Sequence, residues 1–383
     1  MLAAVLADDL TGALEVGALA ATVGLPVIVH LDPSGPFADC DVAVIDTETR
    51  RPCRDGGARF AFALDACLPA APWIYKKVDS TLRGPIAAEL VALARALPSM
   101  PIVYVPAYPA LGRTVVGGEL LVHGDPVAQT AFADDVYQPI RTSSVVDLFD
   151  GMLPAGCVRS CTPSDLVAAL AGLRDGERYG ERCGTVLVCD AETDADLDEI
   201  AAALRPIQVS VLVAGSGGFA ARWFAALPDA PRAAPPCGPP QLPAIDSAIG
   251  SATGSAIGSA IVVCGSRHPV SIAQAEAAVT AGYRCLVPAT GENADPIALA
   301  DELGRRAARA IAEHRPDAVV LFGGDTAFAV LRALGCTSLR PIGEVLPGVP
   351  VARCENSGLV VVTKAGGFGE KDVVATVIER LGG

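Results

Sequence analysis

Residues 75–85, YKKVDSTLRGP, place a dense set of polar side chains between an apolar strand and a helix. Residues 73–75 predict a short buried strand before this loop, and Pro85 suits the first position of the helix that follows. The apolar residues of that helix recur at helical spacing: Ile86, Leu90, Leu93 and Leu97. The loop therefore ends at a helix N-terminus, where unpaired amides and the helix dipole attract anions.

The side chains of this loop suit an anionic ligand. Lys77, Ser80 and Arg83 are hydrogen-bond donors of the kind that bind a carboxylate or a phosphate, and Asp79 adds a carboxylate. The alternative interpretation is a solvated, well-capped loop with no ligand. The density of polar groups favours a binding site.

Composition limits the class of protein and its partners. The chain has 383 residues, of which 51% are hydrophobic and 19% are charged, so two domains with large cores are expected. Its net charge of −14 disfavours binding to nucleic acid or to an anionic membrane. An anionic ligand must then be held by a local cationic pocket.

Neither the N-terminus nor the cysteines indicate secretion. Residues 12–29 are apolar, but Glu15 interrupts them and no basic segment precedes them, so no signal peptide or membrane span is predicted. The twelve cysteines do not have the spacing of a zinc site, and Cys157 and Cys161 are the closest pair. We expect a cytoplasmic protein with reduced, mostly buried thiols.

Strand-like and helix-like segments alternate through the first part of the chain, which predicts parallel sheets with helices on their faces. Asp8 and Asp9 follow the first strand, and ligands of such sheets bind at the carboxyl ends of strands. Both aspartates are therefore expected to face the same crevice as the 75–85 loop. A polar loop over 106–127 carries Arg113 as a further candidate for substrate binding.

Residues 215–220 fit the pattern G-x-G-x-x-A after a strand, which is similar to a dinucleotide-binding fingerprint. A dehydrogenase that uses NAD(P) is therefore one alternative function. No acidic residue follows at the distance that ribose recognition requires. Tight packing of a helix against its strand is the favoured explanation for these glycines.

A change in composition marks the domain boundary. Proline dominates after residue 228, and a Ser-Ala-Ile-Gly repeat follows, as in a linker with a stiff part and a flexible part. We predict a first domain at 1–228, a linker at 229–259 and a second domain at 260–383. Each domain is expected to be a largely parallel sheet flanked by helices.

Three glycine-rich loops in the second domain each follow a strand and precede a helix: residues 265–269, 323–326 and 364–369. Glycine allows a backbone to approach phosphate oxygens closely, and the following helix supplies aligned amides. None of these loops matches the P-loop pattern. Together they predict a nucleotide site.

These features fit a two-domain kinase that closes over its two ligands. Phosphoryl transfer requires a phosphate clamp, Mg²⁺, a positioned hydroxyl and a carboxylate that takes its proton. Asp8, Asp9 and Asp79 are the candidate catalytic carboxylates. A non-catalytic sensor of sugar acids is the second alternative, although no DNA-binding output module is visible.

Seven segments together resemble the four-carbon acid sugar kinase family, in the family's order and across nearly the whole chain. They are ADDLTGA (7–13), KKVDSTLRGP (76–85), PAYPALGRTVVGGEL (106–120), GSRHPVSIAQ (265–274), GGDT (323–326), GEVLPGVP (343–350) and KAGGFG (364–369). The resemblance implies an N-terminal sugar-acid-binding domain and a C-terminal nucleotide-binding domain. It also implies phosphorylation of threonate, erythronate or 3-oxo-tetronate by ATP, generally at the terminal hydroxyl.

The resemblance also assigns residues to the two ligands. It implies ATP contacts at the following positions: Ser266, Gly323, Gly324, Asp325, Thr326 and Gly366. It implies substrate contacts from Asp8 or Asp9, from Asp79, Ser80 and Arg83, and from Arg113. We expect Arg83, with Lys77 and Ser80, to bind the substrate carboxylate. Mg²⁺ is expected to bridge the ATP phosphates rather than to occupy a protein metal site, and a homodimer is expected for an α/β enzyme of this size.

Overall fold

The structure is a computed structural model of the chain. It describes residues 1–33, 37, 40–51, 56–135, 138–174, 184–227, 259–288, 295–346, 348–365 and 369–382. Residues 229–258 of the predicted linker, with its repeat, lie outside the described residues, and so does Gly366.

The described residues form strands β1 (Ala3–Ala7), β2 (Val27–His30), β3 (Val42–Asp46), β4 (Trp73–Lys77), β5 (Ile102–Val105), β6 (Arg113–Val116), β7 (Glu119–Val122), β8 (Asp125–Pro126), β9 (Val158–Cys161), β10 (Val186–Cys189), β11 (Leu212–Gly215), β12 (Ala260–Cys264), β13 (Arg284–Leu286), β14 (Ala318–Phe322), β15 (Ser338–Leu346), β16 (Val349–Cys354) and β17 (Val360–Lys364).

The helices are α1 (Leu10–Thr22), α2 (Gly56–Cys67), α3 (Ile86–Ala96), α4 (Leu166–Arg174), α5 (Asp194–Leu204), α6 (Gly217–Ala226), α7 (Pro269–Thr280), α8 (Pro296–His314), α9 (Gly324–Ala333) and α10 (Val373–Gly382). In the part of the chain that the structure describes, none of these helices combines the length and the apolar character needed to span a membrane.

The chain divides into two compact units. The first comprises residues 1–12, 23–25 and 33–235, and the second comprises residues 13–22, 26–32 and 236–383. The first unit contains a parallel sheet with strand order β3-β1-β4-β11-β5-β10-β9 and a small antiparallel sheet, β6-β7-β8. All residues of β1 and β4 are buried, as expected for parallel strands that are covered on both faces.

Strand register aligns the loops of the first unit. Ala7, at the end of β1, pairs with Asp46 on one side and with Lys77 on the other. Lys77 pairs in turn with Gly215. The carboxyl ends of β3, β1, β4 and β11 therefore lie in one row, and the polar segments that follow them emerge at one edge of the sheet.

The second unit has a mixed sheet with strand order β13-β12-β14-β17-β16-β15-β2. Strands β13, β12, β14 and β17 are parallel, whereas β16, β15 and β2 run antiparallel to their neighbours. Phe322 pairs with both Cys264 and Lys364, so three glycine-rich loops begin from one row of this sheet. Valine and phenylalanine side chains from β12, β14 and β17 form its core.

The predicted α/β class is confirmed, and the strong apolar segments have the predicted secondary structure. Residues 73–75, predicted as a strand, lie in β4, and the helix predicted after Pro85 is α3. The hairpins β6–β7 and β15–β16 were not predicted, because each depends on pairing between segments with little alternation of their own.

One expectation about the cysteines is wrong. Cys336 and Cys354 are joined as a disulfide, whereas reduced thiols were expected. The antiparallel pairing of β15 with β16 brings the two together, because Leu339 is the register partner of Cys354. Seven other cysteines in the described residues are not joined in a disulfide, and most of them are buried as predicted.

Candidate functional site

The first candidate site lies at the carboxyl edge of the first unit's parallel sheet, where Asp8 and Asp9 follow β1. Asp9 begins helix α1, because its Oδ1 accepts a hydrogen bond of 2.8 Å from the amide of Gly12. Asp8 is almost completely buried, and its carbonyl accepts the amides of Thr49 and Arg50. The two neighbouring aspartates are thus fixed by different backbone contacts.

Arg50 connects the three predicted catalytic carboxylates. Its Nε and Nη2 donate to the two oxygens of Asp8 at 2.8 and 2.9 Å. Its Nη1 lies 2.7 Å from Asp9 Oδ2 and 3.5 Å from Asp79 Oδ2. The structure therefore brings Asp8, Asp9 and Asp79 together, as predicted, around a guanidinium that the sequence did not single out.

The three carboxylates differ in electrostatic environment. Burial acts to raise the pKa of Asp8 and of Asp79, but Arg50 with Lys76 outweighs it at Asp8, and Arg83 with Arg50 outweighs it at Asp79. The pKa of Asp8 is therefore lowered, and that of Asp79 lies well below the ordinary value. At Asp9, burial and the negative charge of Asp8 raise the pKa despite Arg50. Of these three groups, Asp9 accepts a proton most readily near neutral pH.

Arg83 is held in place from several sides. Its Nη2 donates to Asp79 Oδ2 at 2.8 Å, and its Nε donates to Thr81 Oγ1 at 3.0 Å. The guanidinium lies 5.3 Å from the centre of the Phe132 ring, and its Nη1 is 3.6 Å from Asp135. Its side chain keeps 31% exposure, so this cation is both oriented and accessible.

Gly84 allows the loop to pass directly against Asp8. Its φ is +101°, and a Cβ at this position would lie 2.5 Å from Asp8 Oδ2. The Gly84 amide donates to the side-chain oxygen of Gln138, whose amide nitrogen donates in turn to the Arg50 carbonyl. Gln138 thus joins the 75–85 loop to the segment that carries Arg50.

The two adjacent lysines of β4 have different partners. Lys76 is fully buried and pairs with Glu89 of α3 at 2.8 Å, while Glu89 also accepts the Thr49 hydroxyl at 2.5 Å. Lys77 is 4% exposed and donates to the Val78 carbonyl at 3.1 Å. Lys77 also adds positive charge near Asp8 and Asp9. Both lysines therefore compensate the negative charge of the buried aspartates.

The remaining predicted substrate residues lie on loop and hairpin positions. Ser80 is half-buried in the turn after β4. Arg113 begins β6, and its Nη1 donates to the Leu111 carbonyl. The β6–β7 turn is held by Asp190, which accepts the amides of Gly117 and Gly118 at 2.8 and 2.9 Å.

The glycines of the 215–220 segment have a packing role, as favoured above. A Cβ on Gly215 would lie 2.6 Å from the Tyr75 hydroxyl, and one on Gly218 would meet the Tyr108 ring at 2.6 Å. Ser216 is fully buried and caps α6 by accepting the Gly218 amide. This segment therefore packs α6 tightly onto its strand.

The second candidate site lies in the second unit, at the row that contains Cys264, Phe322 and Lys364. A Cβ on Gly265 would lie 2.1 Å from Thr326 Oγ1, so the first glycine-rich loop contacts the start of α9 directly. Gly323 has φ of +95°, and its amide donates to the Lys364 carbonyl at 2.9 Å. The structure thus brings Ser266, Gly323 and Thr326 together, as predicted.

Helix capping distinguishes two of the described helices from their neighbours. Side chains cap α5, α6, α7 and α8, through Thr193, Ser216, His268 and Asp295 respectively. The N-cap positions of α3 and α9 are Pro85 and Gly323, and neither supplies a side-chain hydrogen bond. No N-cap side chain occupies the first amides of these two helices, which makes them candidates for binding an anionic ligand. They follow the two segments for which anionic ligands were predicted.

Lys364 lies beneath the second site. It is 1% exposed, its Nζ donates to the Ala365 carbonyl at 2.8 Å, and it lies 4.8 Å from the centre of the Phe322 ring. Burial lowers its pKa to about 8, despite the opposing effect of Cys264. Asp325 lies in the first turn of α9 beside its first amides. Within the described ranges, no group of three or more His, Cys, Asp or Glu side chains could hold a metal ion.

Comparison with known proteins covers nearly the whole chain. The model of a sugar-binding N-terminal domain matches residues 3–223, and that of a nucleotide-binding C-terminal domain matches residues 244–374. A D-threonate kinase from Salmonella typhimurium is 31% identical, over 98% of this chain and 97% of its own length. The chain belongs to the four-carbon acid sugar kinase family. It is therefore a carbohydrate kinase that acts on four-carbon sugar acids, rather than a dehydrogenase or a sensor.

Two more distant matches also cover nearly the whole chain. A 3-oxo-tetronate kinase from Pseudomonas fluorescens is 26% identical, over 99% of this chain and 96% of its own length. A solved structure from Salmonella typhimurium LT2, described as a tRNA synthase, has a TM-score of 0.74 at 22% identity and covers 99% of this chain and 98% of that one. At 22% identity, the similarity to this solved structure concerns the fold alone.

Proposed function

We propose that the protein transfers the γ-phosphoryl group of MgATP to the terminal hydroxyl of a four-carbon sugar acid. The observation that carries this proposal is the pair of uncapped helices, α3 and α9. One follows a loop in the segment that matches the sugar-binding model, and the other follows a loop in the segment that matches the nucleotide-binding model. Each offers its first amides to an anion, the carboxylate in the first case and phosphate in the second.

The substrate carboxylate binds Arg83, with Lys77 and Ser80 as further donors. Arg83 is the accessible cation of this group, and its contacts with Asp79 and Phe132 fix the plane of its guanidinium. A planar, oriented guanidinium suits two-point recognition of a carboxylate. Arg113, on the β6–β7 hairpin, is proposed as an additional contact.

Asp9 is the proposed general base among the three carboxylates. Its raised pKa suits proton removal from a hydroxyl, and one Arg50 nitrogen contacts it, whereas Asp8 is held at both oxygens by Arg50 and Asp79 is paired with Arg83. Asp9 is also the most exposed of the three, at 16% of its side chain compared with 2% for Asp8 and 9% for Asp79. Asp8 and Asp79 then act by holding Arg50 and Arg83 in place.

ATP phosphates bind at the loops of the second unit. Ser266, Gly323, Gly324, Asp325 and Thr326 provide the contacts, with Gly366 from the segment outside the described residues. The close approach of Gly265 to Thr326 brings two of these loops into contact, as a shared phosphate site requires. Mg²⁺ bound to the nucleotide would neutralise charge on the phosphates.

D-Threonate is the proposed first choice among the substrates, with D-erythronate and 3-oxo-tetronate as alternatives. The support is the higher identity to the D-threonate kinase than to the 3-oxo-tetronate kinase over almost the full chain. The product identifies the reaction directly. Incubation with MgATP and D-threonate should give a species heavier by one phosphoryl group, and ³¹P NMR should show phosphorus coupled to the two protons of the terminal carbon. Coupling to a single CH proton would contradict the proposed acceptor hydroxyl.

We also propose a homodimer, which light scattering would test.

A further inference from the structure

Two cysteine side chains face each other at the edge of the first unit's parallel sheet. Cys161 ends the edge strand β9, and Cys189 ends β10. They are register partners, and their sulfurs lie 3.8 Å apart. Cys157 is the cysteine closest to Cys161 in the sequence, but strand pairing places Cys189 opposite Cys161.

The backbone geometry suits a covalent bond between these sulfurs. Neighbouring strands lie about 4.8 Å apart, which falls within the Cα separation that disulfides span. A disulfide has an S–S length of about 2.05 Å, so the two sulfurs must approach by less than 2 Å. Rotation about the side-chain bonds can provide this movement without breaking the β9–β10 pairing.

The two thiols differ in access and in acidity. Cys161 is half-buried, whereas Cys189 is completely buried. The hydrogen bond between them lowers the pKa of Cys161 and raises the pKa of Cys189. The negative charges of Asp190 and Asp165 act to raise the pKa of Cys161, and the positive charge of Arg159 acts to lower it. An accessible thiol with a lowered pKa is the one that reacts first with an oxidant.

We propose that Cys161 and Cys189 form a reversible redox site that closes to a disulfide when a hydroperoxide reaches Cys161. The Cys161 thiolate attacks one peroxide oxygen, the O–O bond breaks, and hydroxide leaves as the sulfenic acid forms. The Cys189 sulfur then attacks the Cys161 sulfur and displaces a second hydroxide. The two thiols lose two electrons and two protons, and hydrogen peroxide is reduced to two molecules of water.

The position of the pair connects it to the hairpin that carries Arg113. Asp190 directly follows Cys189, and its carboxylate holds the amides of Gly117 and Gly118. Ala191, the next residue, exchanges backbone hydrogen bonds with Val115. Cys189 therefore lies one and two residues before Asp190 and Ala191, the two residues that anchor this hairpin. The redox site itself does not depend on the kinase activity.

Thiol mapping of the full chain tests the proposal. The protein is treated with one equivalent of hydrogen peroxide, unfolded, alkylated and digested, and the peptides are identified by mass spectrometry. We expect a linked peptide that contains Cys161 and Cys189, two hydrogens lighter than the separate peptides and released by a thiol reductant. Cys67 is the internal control, because it is completely buried and burial raises its pKa to about 12, so it should stay alkylated.

Two variants separate the roles of the sulfurs. Cys161→Ser should abolish the linked peptide and slow the first step of peroxide consumption at least tenfold. Cys189→Ala should leave a Cys161 sulfenic acid that dimedone labels. Cys161→Ser changes only a half-buried atom, so it remains informative if Cys189→Ala does not fold. The proposal is overturned if both cysteines are recovered fully alkylated after the peroxide treatment. It is also overturned if Cys161 is oxidised to sulfinic acid, or linked to another cysteine, and no Cys161–Cys189 peptide is found.

Discussion

Gly84 lies so close to Asp8 that a Cβ on Gly84 would stand 2.5 Å from the Asp8 Oδ2 atom. Asp8 is itself fixed by a two-point contact with Arg50, so its carboxylate cannot retreat without breaking that contact. Glycine is therefore required at position 84 for two reasons. Its φ of +101° disfavours other residues, and the Asp8 carboxylate occupies the space that a Cβ would need. This relationship ties the 75–85 loop to the aspartates after β1.

We predict that Gly84→Ala costs both stability and sugar-acid affinity. Gly124→Ala is the matched control, because Gly124 has φ of +91° but a Cβ added to it would have no neighbouring atom within 4 Å. Backbone strain of roughly 1–2 kcal/mol should appear in both variants. Gly84→Ala alone should raise the KM for the acid, by at least tenfold in steady-state assays. Equal KM values for the two variants would show that the contact with Asp8 has no role in binding.

We predict that Asp9→Asn lowers kcat by about 10²- to 10⁴-fold, the usual contribution of a general base. The asparagine Oδ1 can still accept the Gly12 amide, so helix α1 keeps its cap. The variant loses the Arg50–Asp9 ion pair, but Arg50 keeps both contacts with Asp8, so the KM for the acid should change only a few-fold. Asp79→Asn is the comparison: it removes the ion pair with Arg83 and should act mainly on KM. An unchanged kcat in Asp9→Asn would remove Asp9 from the role of base.

We predict that Gly323→Ala weakens ATP binding at least tenfold. The N-cap of α9 has φ of +95° and ψ of 137°, a conformation that costs other residues about 1–3 kcal/mol. Relief of that strain would move the first amides of α9 away from the phosphates. Gly335→Ala serves as control, since Gly335 also has positive φ, at +68°, but lies at the other end of α9. Calorimetric titration with MgATP should show normal affinity for this control, and equal losses in both variants would refute the assignment.

We predict that Glu344 makes the protein less stable as pH rises. Burial and the nearby Glu15 raise the pKa of Glu344 to about 8, so the folded chain binds a proton that the unfolded chain releases near its ordinary value of 4.5. Stability from this group is complete below about pH 4.5 and falls by on the order of 1 kcal/mol per pH unit up to about pH 8. Glu344→Gln keeps an oxygen for the Gly348 amide and should flatten this slope. Urea unfolding of both proteins between pH 5 and pH 8 measures the effect, and parallel curves would exclude Glu344 as its source.

Sequence patterns predicted the parts of the fold that depend on local signals. The apolar run at 318–322 and the helical spacing of apolar residues after Pro85 were sufficient for these two elements. The pairing of β2 with β15 could not be predicted in this way, because it joins segments about three hundred residues apart in the chain. Its register depends on the finished sheet rather than on either segment.

The same distinction applies to the candidate site. Asp8, Asp9 and Asp79 were predicted because each follows a recognisable strand. Arg50 was missed, although it contacts all three, since it lies after β3 in a segment with no pattern of its own. Its position became clear only when register placed the ends of β3, β1 and β4 in one row. A charged residue soon after the end of a strand beside β1 is the signal that could have identified it.

The most direct test of the proposed kinase activity is substrate-dependent release of ADP from MgATP. The unmodified protein and its Arg83→Ala variant would each be assayed with D- and L-threonate, D- and L-erythronate and 3-oxo-tetronates. We predict turnover with at least one four-carbon acid, D-threonate first, and a large loss of apparent affinity for that acid in Arg83→Ala. Binding of ATP without turnover on any acid of the panel would contradict the proposed substrate class, and full activity of Arg83→Ala would contradict the proposed carboxylate site.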